Sequence, residues 1–360
     1  MVYLVVSKRY SLSMDSLFLV IMSSFTAGLL LAPSLRSIAL KWGVTDKPGL
    51  RKLHVGDVPL IGVPLILLVT FLGSLLLSVN FPLGAFIAGS FIVLLGVFDD
   101  KYDVPAIPKF FLQVAIACLL ISINGAHIVD IGIYQKDFAD PANQTLHFGL
   151  AVLAIVIGVN ALNLIDGIDG LAASIVLVIL INANLAFVVS GQSVPKDILL
   201  HSALLIGTLC AFLAFNLGLF DGKKIFLGDS GSMLVGLLIA SMLINISQTP
   251  SSSSGITIPA SLCLWLTALP MTDMLVTFMR RIINGRSPFS PDRTHLHHRL
   301  RDIGLSKWHV LIVILTASAI IFWGGAAITF QFGEAASFVA YGVYMFTYII
   351  FITALNRVQA

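Results

Sequence analysis

The sequence predicts an all-α integral membrane protein, a polytopic bundle of about 11 transmembrane helices, and three observations predict it. The 360 residues are 58% hydrophobic and 11% charged, against a usual charged share of about 25% in soluble domains. Mean hydropathy is +0.98. The apolar residues fall in runs near the length a helix needs to cross the hydrocarbon core, where the backbone must satisfy its own hydrogen bonds. The runs do not alternate apolar with polar, which excludes a transmembrane β-barrel.

Taken in chain order, the spans are expected near 15–34, 58–79, 84–98, 107–123, 149–165, 171–189, 198–216, 232–248, 258–279, 308–330 and 335–355. The first run is span-length with no small-residue cleavage site behind it, so it reads as helix one rather than a signal peptide. The polar stretches 35–57, 124–148 and 280–307 are too short for a core of their own. The chain 1–360 is therefore read as a single polytopic membrane domain. Within 124–148, IVDIGIY and KDFADPANQ are expected to give a short strand or hairpin. SQTPSSSSG at 247–255 reads as a flexible external linker. Cys118, Cys210 and Cys263 lie inside apolar runs and pack as small hydrophobes.

Orientation follows from the basic residues, because loops rich in Lys and Arg stay cytoplasmic. Of the 21 Lys and Arg, only Lys8, Arg9, Lys136 and Lys196 fall on one side. The other side holds Arg36, Lys41, Lys47, Arg51, Lys52, Lys101, Lys109, Lys223, Lys224, the basic residues of 280–307 and Arg357. The N-terminus is expected outside and the C-terminus in the cytoplasm, which an odd helix count also requires.

Four aspartate-bearing segments interrupt this apolar chain, all on the expected cytoplasmic face: FDDKYD at 98–103, NALNLIDGIDG at 160–170, FLGDSGS at 226–232 and SPFSPDRTHLHHRL at 287–300. Asp99 and Asp100 end a helix, where like charges repel and the dipole opposes them, so a cation should compensate. A solvated helix end with Lys101 as neighbour is the plainer reading. Asn160, Asn163, Asp166 and Asp169 recur every third residue and are expected near one helical face, with Gly167 and Gly170 opening the backbone. A polar run ending a membrane helix is costly unless it is paired or functional. GDSGS opens a helix, so the amides of Ser230, Gly231 and Ser232 are expected to hold phosphate oxygens. Asp229 is placed to ligate a hard cation such as Mg²⁺; an ordinary N-cap aspartate is the alternative. The loop 280–307 concentrates Arg286, Arg293, His295, His297, His298, Arg299 and Arg301. Anionic lipid headgroups or a transition metal would account for such a cluster by itself. Acidic groups for a cation and basic groups for phosphate on one membrane face make a site for a metal-bound pyrophosphate.

These segments, with TDKPGLRKLH at 45–54, resemble in order and spacing the bacterial polyprenyl-phosphate N-acetylhexosamine-1-phosphate transferases of the WecA and TagO type, related to MraY. The resemblance spans most of the chain. One departure is VPLIGV at 58–63, where relatives often carry two successive glycines and this chain has Val63. HLHH after PDR, in place of an uninterrupted histidine triplet, favours the WecA branch. The resemblance implies transfer of N-acetylglucosamine 1-phosphate from UDP-GlcNAc to undecaprenyl phosphate, releasing UMP, as the first membrane step of a cell-surface glycan pathway in the bacterial inner membrane. Another UDP-N-acetylhexosamine is the alternative donor.

By the same resemblance, Asp229 and Asn163 match Mg²⁺ ligands, with Mn²⁺ as a substitute metal. Asp99, Asp100 and Asp166 belong to the catalytic acidic set. Asp169 and Phe226 match positions that bind and stack uracil, joined by Asn216 at a different spacing. Lys109 and Lys47 correspond to lysines at the carrier phosphate; Arg293, His295, His297 and His298 to the pyrophosphate or sugar side. The site would be built from the loops 35–57, 99–109, 160–170, 217–232 and 280–307. Membrane lipids are expected partners and nucleic acid is not; a homodimer is left open. Two other classes fit these residues less well. In an ion-coupled transporter, acids line the mid-membrane path, whereas these sit at one face. A phosphatidyl-alcohol transferase needs an AR pair that Leu171 and Ala172 do not supply.

Overall fold

The computed structural model describes residues 14–47, 56–79, 83–125, 127–132, 140–192, 194–220, 222–248, 258–290 and 294–359. Helices dominate: α1 Met14–Trp42, α2 Gly62–Leu76, α3 Leu83–Tyr102, α4 Ala106–Asn124, α5 Pro141–Ile165, α6 Leu171–Val189, α7 Lys196–Asn216, α8 Gly228–Gln248, α9 Ala260–Leu266, α10 Ala268–Ile283, α11 Leu296–Asp302 and α12 Lys307–Gln359. Among the described residues, 8 helices are long and apolar enough to cross a membrane, or 9 if the bent pair α9 and α10 counts as one span.

Four expected spans come out differently. The run 258–279 is broken at Thr267, and α9 and α10 meet at 75°. Pro270 explains the break: it has no amide to bond the Leu266 carbonyl, and its ring crowds that carbonyl, so the first helix stops at Leu266. The last two spans form the single helix α12, 53 residues long, interrupted at Gly333 with φ 81° and ψ 177°. At 1.5 Å per residue its full length exceeds twice the ~30 Å core, so the two arms on either side of Gly333 take the places of two spans. The run 58–79 supplies only the 15-residue α2, because its first residues are used in a strand.

That strand belongs to a ribbon which the apolar pattern did not reveal. β1 (Thr45–Asp46) pairs antiparallel with β2 (Val58–Pro59). The ribbon then reaches the FLGDSGS segment: the Phe226 amide donates to Pro59 O at 2.9 Å and the Gly62 amide to Phe226 O at 3.1 Å. The hairpin expected within 124–148 falls largely on 133–139, outside the described residues; its described part holds a single bridging residue, Asp130, and no longer strand. Instead, Gln248 at the end of α8 accepts the Val129 and Asp130 amides and donates to Asp130 O.

The helix α8 lies in the middle of the bundle and is buried almost along its length. Small residues let its neighbours approach: Gly236 faces the Val159 backbone of α5, and Gly158 faces Ala240. Such close contacts drive helix association where lipid gives no hydrophobic advantage. The outer helices expose Leu30, Phe91, Leu153 and Phe346 instead, as suits a lipid-facing surface.

Candidate active site

The polar segments meet where α3, α5 and α8 end or begin together. Asp99, in the last turn of α3, is 5% exposed. Its Oδ2 accepts from Lys109 Nζ at 2.6 Å and its Oδ1 from the Val104 amide at 3.0 Å. The turn at Asp103, with φ 51°, folds α4 back so that Lys109 on its first turn faces Asp99. Lys109 is thus the compensating cation. Lys101, the plainer partner, lies over the Tyr102 ring at 5.1 Å instead.

Asp100 reaches across to α8. It accepts from the Asp229 amide at 2.8 Å, the Ser230 amide at 3.3 Å and Ser230 Oγ at 3.0 Å. The first turn of α8 is therefore capped from another helix, and the Ser230 amide is not open to a phosphate as expected; the protein's own carboxylate fills that place. A glycine makes the approach: a Cβ at Gly96 would overlap Ser230 Cα and lie 2.6 Å from its amide nitrogen. Gly228 turns the chain into α8 with φ 74°, where other residues are strained.

The helix α5 ends at Ile165, so Asn163 stands on its last turn and Asp166 and Asp169 lie in the turn that follows. Asn163 Nδ2 donates to Asp229 Oδ1 at 2.7 Å and to Ser232 Oγ at 2.9 Å. Asn160 does not share this face: it donates to Gln113 Oε1 of α4 at 2.7 Å and back to Val156 O. Asp166 is half-buried. Burial first, then the charges of Asp229, Asp100 and Asp169, pushes its carboxyl up to about 8. Asp229 also lies within electrostatic reach of Asp99 and Asp100.

On the opposite flank, Asp169 pairs with Lys224 at 2.7 Å and Lys307 at 3.6 Å. The same Lys224 sits 4.9 Å above the Phe226 ring, so Asp169 and Phe226 are joined through one cation. Asn216 is buried and donates to Ile225 O at 2.8 Å, bracing the loop that carries Phe226. The histidine segment closes over this group: Gly167 abuts His297 Nε2, where a Cβ would overlap the ring. The rings of His295 and His297 are parallel at 6.1 Å, and those of His297 and His298 lie 4.1 Å apart. Lys47 is exposed at the end of β1, and among the described residues no hydrogen bond or ion pair joins it to the acidic group. Arg293 lies outside the described residues.

Two further residues were not singled out in the sequence. Lys224 became visible only through its pairing with Asp169, 55 positions away. Asp273, in the apolar run 258–279, carried the general signal of an ionisable residue inside a membrane segment.

The donor set fits a hard divalent cation. Among the described residues Asp100, Asp166 and Asp229 have no cationic partner, and their mutual repulsion calls for one. No ready cage of three His, Cys, Asp or Glu exists among the described residues. Mg²⁺ requires none, since it binds through one or two carboxylates plus substrate phosphates and water. In the present arrangement Asn163 turns its NH₂ toward Asp229, so ligation through its oxygen requires the amide to rotate.

The fold and this site together define a polytopic membrane transferase acting on phosphorylated substrates. The chain belongs to glycosyl transferase family 4, whose family model matches residues 82–247. It is similar to the decaprenyl-phosphate N-acetylglucosaminephosphotransferase of Mycobacterium tuberculosis, 30% identical over 319 residues, 82% of this chain and 78% of the relative. The undecaprenyl-phosphate alpha-N-acetylglucosaminyl 1-phosphate transferases of Yersinia pestis (28% over 289 residues) and Escherichia coli (27% over 291 residues) each share 79% of this chain and 77% of their own.

Proposed function

We propose that the protein transfers N-acetylglucosamine 1-phosphate from UDP-N-acetylglucosamine to undecaprenyl phosphate, giving a lipid-linked pyrophosphoryl sugar and UMP. The reaction takes place at the cytoplasmic face of the bacterial inner membrane. The observation that carries this reading is the convergence of uncompensated Asp100, Asp166 and Asp229 with Lys109 on one side and Lys224 and the histidine segment on the other. Such a site neutralises two anionic substrates while leaving room for a divalent ion.

Asp229 and Asn163, supported by Asp166, would hold Mg²⁺, which supplies charge neutralisation at the donor pyrophosphate. Lys109 binds the carrier phosphate. Asp169, Phe226 and Lys224 flank the nucleobase, and Arg293, His295, His297 and His298 take the pyrophosphate or sugar. Joining two anions in a poorly hydrated cleft is opposed by Coulomb repulsion, so positioning and electrostatics carry most of the rate, as in phosphoryl transfer generally. Both oxygens of Asp99 are engaged, by Lys109 and by the Val104 amide. A phosphate monoester with a second pKa of about 6 is already mostly ionised at neutral pH. Asp99 therefore orients Lys109 for the acceptor, and the lipid phosphate attacks the β-phosphorus directly.

Purified protein in nanodiscs is expected to release UMP from UDP-N-acetylglucosamine only when both Mg²⁺ and a polyprenyl phosphate are present. UMP release without acceptor would indicate a covalent phospho-aspartyl route and overturn direct attack; no release under any combination of sugar nucleotide and carrier would overturn the function.

A further inference from the structure

A second polar knot lies beside the site, held by a residue that no step above uses. Asp273 on α10 is 4% exposed, deep enough that an unpaired charge would be prohibitive. Three donors satisfy it, two from the histidine segment and one from α12. His295 Nδ1 is 2.8 Å from Oδ2, the Leu296 amide at the start of α11 is 2.9 Å from Oδ1, and Tyr348 of α12 donates to Oδ1 at 2.8 Å. The carboxylate thus ties the break-side helix, the histidine segment and the final helix at one point.

The consequence falls on His295. Ionised Asp273 only accepts, so Nδ1 carries the proton in this contact and Nε2 is the nitrogen left over. That atom is buried and has no hydrogen-bond partner among the described residues. A buried polar atom without a partner costs free energy, and a substrate that supplies the partner recovers it. His295 stands parallel to His297, whose Nε2 abuts Gly167 in the turn bearing Asp166 and Asp169, so the ring lies one histidine away from that turn.

We infer that Asp273 is a positioning residue for the transfer reaction: it fixes the ring orientation and proton placement of His295 so that Nε2 is presented to the donor's pyrophosphate–sugar end. The inference rests on the transferase reading for the identity of that donor. The contact geometry makes one substitution diagnostic. Two donors converge on Oδ1 and only His295 on Oδ2, so in Asp273→Asn the amide oxygen keeps the two donors and the NH₂ falls against Nδ1. The ring must then accept there, and its proton moves to Nε2. The same reversal in a serine-protease triad leaves geometry intact and removes most of the activity.

The test uses full-length protein in nanodiscs. Nitrogen-15 histidine spectra of the wild type should show His295 protonated at Nδ1, and those of Asp273→Asn should show Nδ1 bare and Nε2 protonated. Asp273→Asn should lower kcat by about 10–100-fold, the usual effect of removing a group that orients a site residue, while the thermal midpoint and the KM for the carrier stay near wild type. In a His295→Ala background the same change should cost less than about twofold, because residues acting through one another are not additive. Tyr348→Phe, which leaves His295 untouched, provides a milder perturbation should Asp273→Asn fold poorly; its smaller loss should also vanish in the His295→Ala background. Additive losses, or a wild-type ring bare at Nδ1, would overturn the inference. A wild type with Nδ1 protonated but no UMP release would overturn the transferase reading and leave the positioning contact standing.

Discussion

Asp100 caps the helix that carries Asp229: its two oxygens take the backbone amides of Asp229 and Ser230 and the Ser230 hydroxyl. One acidic residue thus sets the direction in which the next one points. Asp100→Ala should lose both roles, the cap at about 1 kcal/mol of stability and the alignment of Asp229. Asp100→Asn should keep part of the cap and most of the thermal midpoint, yet still lower kcat. Circular dichroism melts beside UMP release separate the two; equal activity in Asn and wild type would argue that Asp100 acts only as a cap.

Asp229→Asn removes charge from the centre of the acidic group without altering its size. Activity is expected to fall by about 10²–10³-fold, the range for losing a preorganised electrostatic partner. The Mg²⁺ concentration for half-maximal rate should rise. A mutant that loses rate with an unchanged Mg²⁺ profile would place the metal elsewhere.

Asp166 gives the pH prediction. Its carboxyl is pushed up to about 8 by burial and by Asp229, Asp100 and Asp169, above the ordinary aspartate value. The folded protein then holds a proton that the unfolded chain has released, and stability falls as pH rises across that window. The stability is fully present below about 4 and is lost as pH passes through about 8. In EDTA the thermal midpoint should therefore decline between pH 6 and 8.5. Saturating Mg²⁺ should flatten the decline, as should Asp166→Asn. A slope that survives in Asp166→Asn belongs to other groups.

Lys109→Gln leaves Asp99 buried without its cation. Both KM for the carrier and kcat should worsen, with little change in KM for the sugar nucleotide. Asp99→Asn should show a deficit that stays flat from pH 6 to 9, as orientation requires. Recovery with rising pH would restore Asp99 as a general base.

Gly96→Ala changes no charge and touches no substrate, yet its methyl would strike Ser230 Cα. Helix α3 must then stand off from α8. The expected cost is about 1–3 kcal/mol from overpacking, with activity lost at temperatures where the protein is still folded. Wild-type kinetics and melting together would show that the helices give way freely.

Much of this was legible in the residues, and the rest was not for identifiable reasons. Spans such as 171–189 and 198–216 match α6 and α7 closely because membrane length and hydropathy fix them locally. The break at Thr267 lay in Pro270, which a search for apolar length passes over. The acidic group was legible as charge out of place, but the direction of each side chain was not. Asn160 turns to Gln113, Asp100 turns to an α8 amide, and Lys224, just before α8, finds Asp169, just after α5, only once α5 and α8 have packed. Asp273 stayed hidden because it stands alone in its run, and its three partners come from segments 22 to 75 positions away.

The ribbon of Thr45–Asp46 and Val58–Pro59 has a mechanical meaning. Because Phe226 is pinned through both its amide and its carbonyl to the Pro59 and Gly62 backbone, the aromatic shelf cannot swing aside independently of the chain leading into α2. If the Phe226 ring flanks the nucleobase as proposed, changes at Leu60, an apolar residue of that edge, should register as altered sugar-nucleotide affinity.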